Sequence, residues 1–270
     1  MKPRVLLVGC GKMGGALLTG WLERGVAGGI AVVEPSATAT APFAARSEVR
    51  ASPDLEGLPG DFAPDIVLFA VKPQSMDAVA PAYRRFVGPR TAFLSIAAGK
   101  PLSYFAQQLG AEAAVIRAMP NTPAAVGRGM TVLCANPKAS TDQRARCAAL
   151  MQAVGEVAWI EDEGLMDAVT ALSGSGPAYV FLLIECLAEA GAQAGLPVDL
   201  ARQLARATVA GAGELARLAP EDPATLRQNV TSPGGTTAAA LEVLMAADGL
   251  QPLMNRAVAA AARRSRELAG

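Results

Sequence analysis

Predominantly apolar residues form short runs over about the first 160 positions, and stretches with helical periodicity separate these runs. The runs lie at 5–8, 30–33, 65–71, 91–96, 114–119, 130–134 and 157–160. Because they show no alternation with polar residues, they are typical of strands covered on both faces of a parallel sheet. Helices are predicted between them at 13–24, 76–86, 102–109 and 142–153. The pattern predicts an α/β domain built on a doubly wound parallel sheet.

The second part of the chain shows helical patterns only. Helices are predicted at 165–171, 177–194, 198–218, 224–228, 238–247 and 253–268, with glycine and proline between them. We therefore expect two domains, a dinucleotide-binding domain over residues 1–162 and an all-helical domain over residues 163–270.

The first predicted strand runs directly into Gly9-Cys10-Gly11-Lys12-Met13-Gly14, and a predicted helix follows. Strand, G-x-G-x-x-G and helix in this order are the dinucleotide-binding arrangement. Gly9 makes the turn, Gly11 lets the backbone approach a pyrophosphate, and Gly14 allows the helix to pack closely on the strand. A simple strand-to-helix turn is the alternative, but the context on both sides favours a nucleotide site that includes Lys12 and Met13.

Glu34 ends the second predicted strand, about 20 residues after Gly14. An acid at this point usually accepts hydrogen bonds from the ribose hydroxyls of the adenosine, and it would repel a 2′-phosphate. A solvated carboxylate at a strand end is the alternative. Since the residues at 35–39 carry no charge, Glu34 favours NADH over NADPH.

Three further loops follow the carboxyl ends of predicted strands, where ligands collect in an open parallel sheet. They supply the remaining candidate cofactor contacts, which are Ala70, Val71, Lys72, Pro73, Ala97, Ala98, Gly99, Met119, Pro120 and Asn121. Lys72 could equally be a surface lysine, and Asn121 could form an Asx turn instead of bonding a ligand.

Two stretches of the helical part combine glycine with hydroxyl side chains. Residues 171–179 are built like a helix start, with Ser175 placed to cap and Pro177 in the first turn. Free N–H groups at a helix start favour an anion, although a capped core helix is the alternative. In the second stretch, Gly234 and Gly235 can form an anion-binding nest, and Thr236 or Thr237 would cap the next helix.

The amino-acid composition limits the kinds of catalytic and binding site that the chain can form. The chain has no histidine, which excludes Ser-His-Asp and Cys-His catalysis and histidine metal sites. Lysine plus arginine equals aspartate plus glutamate, 24 each, which argues against partners such as nucleic acid or a membrane surface. The four cysteines show no zinc spacing and fit a reducing compartment, so we expect a cytoplasmic protein without a metal site. The longest apolar stretch, 178–184, is too short to span a bilayer.

Three stretches together resemble the pyrroline-5-carboxylate reductases: VGCGKMG at 8–14, ALSGSGPAY at 171–179 and VTSPGGTT at 230–237. The loops AVKPQ at 70–74 and RAMPNTP at 117–123 resemble the same family, so the resemblance covers the chain from end to end. It implies a Rossmann domain followed by a helical domain whose helices interlock with those of a partner in a homodimer. It also implies NAD(P)H-dependent reduction of 1-pyrroline-5-carboxylate to L-proline, the last step of proline biosynthesis.

The resemblance also implies a substrate site. The backbone N–H groups of the loop with Ser232, Gly234, Gly235 and Thr236 would hold the substrate carboxylate, and Ser175 belongs to the same site. The hydroxyl of Thr237 would bond the ring nitrogen, which makes Thr237 the catalytic candidate. An imine nitrogen arrives protonated, so the protein has mainly to position two reactants and exclude water, and no histidine is needed.

Several alternatives remain beside this interpretation. The chain could reduce another cyclic imine, or it could be a nucleotide sensor without turnover, although a sensor need not keep the loop 232–237. A 3-hydroxyacid dehydrogenase would use a lysine in its helical domain, and here the last lysine is Lys138. Family members that prefer NADPH tend to carry small polar or basic residues after the second strand, where this chain has Glu34. The apolar helix at 178–194 is too apolar for one small domain, which predicts an obligate homodimer and leaves a higher oligomer open.

Overall fold

The computed structural model of the protein describes residues 2–269. Its contacts divide the chain into two compact units. One unit comprises the chain up to Gly174 together with the segment from Ala262 onward, and the other comprises Ser175–Ala261. The predicted domain boundary after residue 162 remains a prediction.

A sheet of eight strands forms the centre of the first unit. The strands are β1 (Arg4–Val8), β2 (Gly29–Val33), β3 (Val49–Ser52), β4 (Ile66–Phe69), β5 (Ala92–Ser95), β6 (Ala114–Met119), β7 (Gly129–Ala135) and β8 (Gly155–Trp159). Their order in the sheet is β3-β2-β1-β4-β5-β6-β7-β8, and all neighbours are parallel except the antiparallel pair β6 and β7. The first six strands have the doubly wound order, which confirms the predicted fold class.

Helices cover both faces of this sheet. They are α1 (Lys12–Arg24), α2 (Ala37–Thr40), α3 (Met76–Val79), α4 (Leu102–Leu109) and α5 (Thr141–Gln152), with 3-10 turns at Ala41–Phe43, Pro73–Ser75, Ala80–Phe86 and Thr122–Val126. Leu7 and Leu68 belong to one core layer with Trp21 of α1, whereas Leu6 and Phe69 belong to a second layer. Because successive strand residues bury against opposite layers, the strands are apolar throughout, as their sequences predicted.

Two details of this unit differ from the prediction. Strand β3 was not predicted, because it is a short edge strand whose residues Arg50 and Ala51 are exposed, so it has no apolar run. The predicted helix at 76–86 is α-helical only over Met76–Val79 and continues as a 3-10 helix over Ala80–Phe86. Pro81 lies in the first turn of that 3-10 helix, where a missing N–H interrupts the α-helical hydrogen bonding.

The rest of the chain is helical, as predicted. A 3-10 turn at Glu163–Leu165 is followed by α6 (Met166–Val169), a π-helical turn (Thr170–Gly174), α7 (Gly176–Gln193), α8 (Val198–Leu218), α9 (Pro223–Asn229), α10 (Thr236–Leu244) and α11 (Leu250–Ala269). The predicted helix start within 171–179 is confirmed, because α7 begins at Gly176 with Ser175 as its N-cap residue and Pro177 in its first turn. The predicted capping by the Ser175 side chain is wrong, and the residues before Ser175 form a π-helical turn instead of a loop. Ser175 has helical dihedral angles, and its side chain makes no capping hydrogen bond to α7.

Helix α7 leaves its apolar side chains exposed. It has no buried residue, and Val180, Phe181, Leu182, Leu183 and Leu187 are 43–57% exposed. The run Glu163–Gln193 is long and apolar enough to cross a membrane by length and composition, so the predicted limit on apolar length was wrong. Contiguous apolar surface of this kind marks an interaction site.

Candidate active site

The three glycines of the first loop each meet a separate geometric demand. Gly9 has a φ of 91°, and a Cβ there would lie 2.9 Å from the carbonyl oxygen of Ala70. At Gly14 a Cβ would overlap the carbonyl oxygen of Gly9, so only glycine lets α1 pack on the turn. At Gly11 a Cβ would meet nothing within 4 Å, which leaves open space beside the backbone. This is the geometry of a turn that can admit a pyrophosphate.

Helix α1 begins at this open space. Gly11 is its N-cap, no side chain caps it, and its first turn carries no acidic residue. The first helical hydrogen bond runs from the Gly15 N–H to the Gly11 carbonyl oxygen at 2.7 Å. The N–H groups of Lys12, Met13 and Gly14 therefore have no partner inside the helix, and together with the helix dipole they favour an anion.

Glu34 is anchored to the same loop. Its Oε2 accepts the Cys10 N–H at 2.8 Å, and its Oε1 accepts the Ser36 N–H at 2.9 Å. The side chain is half-buried, so it is not merely a solvated carboxylate. Each carboxylate oxygen can accept a further hydrogen bond, which is what ribose hydroxyls require. Burial, together with the Glu34 charge, raises the pKa of Cys10 to about 11 and keeps its thiol neutral.

A groove of about 280 Å³ lies at the carboxyl ends of β1, β4, β5 and β6. Its lining consists of Met13, Ala70, Val71, Lys72, Pro73, Ile96, Ala97, Ala98, Met119 and Pro120. All of them except Ile96 were predicted as cofactor contacts from the sequence. Ile96 was missed although it directly follows β5, which was the available signal. The small side chains and the open N-terminus of α1 fit a flat ring joined to a pyrophosphate.

Among the candidates from the three loops that follow strands, Gly99 and Asn121 lie outside this lining. Gly99 has a φ of 72° and belongs to the turn that leads into α4. The side-chain amide of Asn121 is hydrogen-bonded within the protein, to the Met130 N–H and to Ser173. Lys72 is exposed at the groove, so the structure leaves both of its predicted roles open.

An ion pair that the sequence analysis missed holds the loop after β5. Glu163 Oε1 lies 2.5 Å from Arg117 Nη1 and also accepts the Leu102 N–H at 2.7 Å. The side chains of Arg117 and Glu163 are 11% and 30% exposed. The available signal was a single arginine inside the otherwise apolar strand β6.

The predicted substrate loop precedes α10. Gly234 has a φ of 67°, and the Gly235 N–H donates to the Ser232 carbonyl oxygen at 3.0 Å, which closes a tight turn. Gly235 is the N-cap of α10, and no side chain caps the helix, so the prediction that Thr236 or Thr237 caps it is wrong. Both threonines instead lie in the first turn, where the N–H groups have no helical partner. Capping therefore does not explain their hydroxyl groups.

Ser175 lies between the π-helical turn and α7, of which it is the N-cap residue. The Thr170 hydroxyl donates to the Met166 carbonyl oxygen at 2.8 Å, and the Ala178 N–H donates to the Ser175 carbonyl oxygen at 3.0 Å. Single π-helical turns inside α-helices occur frequently at functional sites. The role of Ser175 in substrate binding remains a prediction.

Comparison with known proteins agrees with this arrangement. Residues 163–268 match the family model for pyrroline-5-carboxylate reductase dimerisation, and residues 4–99 match the model described as NADP oxidoreductase, coenzyme F420-dependent. The chain is 39% identical to a pyrroline-5-carboxylate reductase of Pseudomonas aeruginosa, over 99% of this chain and 97% of that one. It is 46% identical to that of Synechocystis sp., over 82% of this chain and 80% of that one.

Solved structures give the same result. A pyrroline-5-carboxylate reductase from Coxiella burnetii matches with a TM-score of 0.92 and 34% identity over 99% of both chains. The Plasmodium falciparum pyrroline carboxylate reductase with NADP bound matches with a TM-score of 0.82 and 28% identity over 100% of both chains. The chain therefore belongs to the pyrroline-5-carboxylate reductase family.

Proposed function

We propose that the protein catalyses the NAD(P)H-dependent reduction of 1-pyrroline-5-carboxylate to L-proline, the last step of proline biosynthesis. The observation that carries this proposal is the similarity to pyrroline-5-carboxylate reductases over nearly the whole length of the chain. It includes both the glycine-rich loop at the start of α1 and the Ser232–Thr237 segment, so cofactor and substrate recognition are present in one chain.

We infer the following roles in cofactor binding. The first-turn N–H groups of α1 would hold the pyrophosphate, and the groove between 70–73, 97–98 and 119–120 would hold the nicotinamide. When bound, the nicotinamide supplies a hydride. The protein has to orient the ring and keep water away from it, which the apolar lining of the groove favours.

The substrate would be held by the loop before α10. Its carboxylate would accept hydrogen bonds from N–H groups near Gly234 and Gly235, while the Thr237 hydroxyl would accept a hydrogen bond from the protonated ring nitrogen. Protonation makes the C=N carbon the hydride acceptor, so a new C–H bond forms and the C=N π electrons become the nitrogen lone pair. The product nitrogen keeps the proton with which the iminium arrived, so no side chain needs to act as a strong acid.

We further propose that NADH is the preferred cofactor. The half-buried carboxylate of Glu34 is held at the glycine-rich loop by two N–H groups, a position that suits ribose hydroxyls and disfavours a 2′-phosphate. The two basic residues between Glu34 and β4, Arg46 and Arg50, are exposed, and Arg46 pairs with Glu48. The solved structure of the Plasmodium falciparum relative contains NADP, which is an observation on that protein and not on this chain.

The enzyme is a homodimer formed through its helical domain, in agreement with the dimerisation model that covers residues 163–268. We propose that it works in the cytoplasm without a membrane and without nucleic acid, and that a higher oligomer could be built from the dimer. Reduction of another cyclic imine is the second candidate activity, because the groove and the loop would bind any ring that carries an imine beside a carboxylate.

Initial rates of NADH and NADPH oxidation test the proposal, with 1-pyrroline-5-carboxylate and its six-membered homologue as substrates and with proline quantified as product. We expect proline formation, faster turnover of the five-membered ring, and a higher kcat/KM with NADH. Oxidation only with the six-membered ring would favour the second candidate. Cofactor binding without turnover of either imine would instead indicate a sensor.

A further inference from the structure

The side-chain amide of Asn121 is hydrogen-bonded within the protein through both its oxygen and its nitrogen. Its Oδ1 accepts the Met130 N–H at 2.9 Å, and its Nδ2 donates to the carbonyl oxygen and to the Oγ of Ser173, each at 3.3 Å. Chemistry fixes the orientation of the amide, because the Met130 N–H can only donate and the Ser173 carbonyl oxygen can only accept.

This engagement limits what Asn121 can do for a ligand. A carboxamide has two N–H donors, and Ser173 offers an acceptor to each of them. One of the two acceptor sites on Oδ1 is also occupied. These contacts direct the Nδ2 group at Ser173 and not at a ligand, although Met119 and Pro120, just before Asn121, line the groove.

The partner of Asn121 belongs to the π-helical turn Thr170–Gly174. That turn also packs on the groove, because a Cβ at Gly174 would lie 3.4 Å from the Met119 sulfur. Met119 is 7% exposed and is therefore fixed by its surroundings. Two residues at the carboxyl end of β6 thus hold the turn, the last strand residue Met119 by packing and Asn121 in the following loop by hydrogen bonds. The chain leaves this turn directly into Ser175, a candidate substrate contact.

We propose that Asn121 is a positioning residue, which locks the π-helical turn to the loop that lines the cofactor groove and does not touch the cofactor itself. The inference rests on the proposed function, since its consequence is a slower hydride transfer. A turn released from Asn121 leaves the chain before Ser175 less well placed, whereas the groove and the α1 N-terminus that bind the cofactor stay intact.

Asn121→Asp tests this assignment in the full-length protein. Aspartate has the same shape and still accepts the Met130 N–H, but it has no donors for Ser173. Asn121→Ser also removes both donors without adding a charge, and it replaces the aspartate variant if that one does not fold. Ser173→Ala is the matched control, because it removes only the Oγ contact and leaves the carbonyl contact in place.

Three quantities separate the possible roles: the Kd of NADH from its fluorescence, kcat at saturation, and the primary isotope effect on kcat with NADH deuterated at C4. We expect Asn121→Asp to lower kcat about tenfold and to raise the isotope effect, with a change in Kd below threefold. Ser173→Ala should lower kcat by less than threefold.

Two results would overturn the inference. A tenfold weaker Kd with unchanged kcat would make Asn121 a cofactor ligand. Unchanged kcat, Kd and isotope effect with a lower melting temperature would leave it a purely structural role. If the wild-type enzyme does not reduce 1-pyrroline-5-carboxylate, the proposed function fails and this inference fails with it, whereas an active wild type with unaltered variants refutes the inference alone.

Discussion

Replacing Glu34 with serine tests how this chain selects its cofactor. The carboxylate holds the glycine-rich loop through the Cys10 N–H at 2.8 Å and its own turn through the Ser36 N–H at 2.9 Å. In the proposed complex it also faces the adenosine ribose. A serine at this position is too short to reach Cys10 and carries no charge. The variant therefore removes both the hydrogen bond to the glycine-rich loop and the carboxylate that distinguishes NADH from NADPH.

These two losses act differently on the two cofactors. A released Cys10 N–H loosens the loop for NADH and NADPH alike, so both KM values rise and their ratio is unaffected. NADH alone loses hydrogen bonds between the ribose and a charged group, which are worth about 1.5–3 kcal/mol. NADPH alone is relieved of charge repulsion, which for two unit charges 4 Å apart is about 1 kcal/mol in water and about 4 kcal/mol near a protein surface.

The lower ends of these ranges add to about 2.5 kcal/mol, which corresponds to a change on the order of 50-fold in the ratio of the two kcat/KM values. We expect the change mainly in KM, because the ribose lies far from the reacting carbon. Initial rates with both cofactors at saturating imine give the ratio for the wild type and for Glu34→Ser.

A matched control removes a charge at the opposite edge of the sheet, at the amino end of β3. Glu48 is an exposed carboxylate paired with Arg46, and Glu48→Gln changes the net charge equally without altering the glycine-rich loop. Its ratio should stay within about twofold of the wild type, as expected for a solvent-screened charge. A wild type that prefers NADPH, a Glu34→Ser ratio equal to that of the wild type, or an equal shift in Glu48→Gln would each refute the reasoning.

Four further predictions concern other parts of the chain. Thr237→Val should lower kcat/KM roughly 10- to 150-fold, which is the effect of losing a hydrogen bond to a charged group. It should leave the melting temperature almost unchanged, because no side chain caps α10. Thr236→Val, at the exposed neighbouring position, is the control, and wild-type kinetics in Thr237→Val would contradict the role of Thr237. Glu163→Gln should lower the free energy of unfolding by about 1–3 kcal/mol, between the values for surface and buried ion pairs, in urea titrations. The Asp222 carboxylate accepts the Thr225 N–H at the start of α9, and this hydrogen bond lowers the pKa of Asp222, so the stabilisation by the carboxylate is present at neutral pH and is lost as pH falls below about 4. The melting-temperature difference between wild type and Asp222→Ala should therefore shrink on acidification. A difference independent of pH would show that the carboxylate charge is not the cause. Phe181→Asp should convert dimer to monomer in sedimentation at micromolar concentration, because it places a charge on the exposed apolar surface of α7, and an intact dimer would place the interface elsewhere.

The sequence was most informative where backbone geometry decides the outcome. The glycine-rich loop was recognisable because Gly9 needs a positive φ and Gly14 has no room for a Cβ. The groove lining was predictable because parallel strands end at one edge of a sheet, so the residues after each strand share that edge. Neither inference required any knowledge of side-chain partners.

These sequence patterns did not predict hydrogen bonds and ion pairs between side chains that are far apart in the sequence. Asn121 and Ser173 are 52 positions apart, and Arg117 and Glu163 are 46 positions apart. Hydrophobic periodicity is a local signal and does not report which polar groups meet in the fold. The π-helical turn before α7 was not predicted for a related reason, because glycine, serine and proline indicate a first helical turn whether or not the preceding residues are helical.

The helical unit exposes apolar side chains next to charged ones, and this mixture indicates what kind of partner covers them. The groove between α7 and α8 is lined by Glu185 and Glu189 on one side and by Arg202 and Arg206 on the other, together with apolar residues. Each charged side chain in the hydrocarbon core of a bilayer costs about 2.5–3.5 kcal/mol, so Glu185 and Glu189 would offset part of the apolar gain of inserting α7. A protein surface can pair such charges at the rim of an interface while it buries Phe181 and the leucines beside it. The family model for dimerisation covers the run Glu163–Gln193, so burial against a second copy of the chain accounts for its exposed apolar side chains.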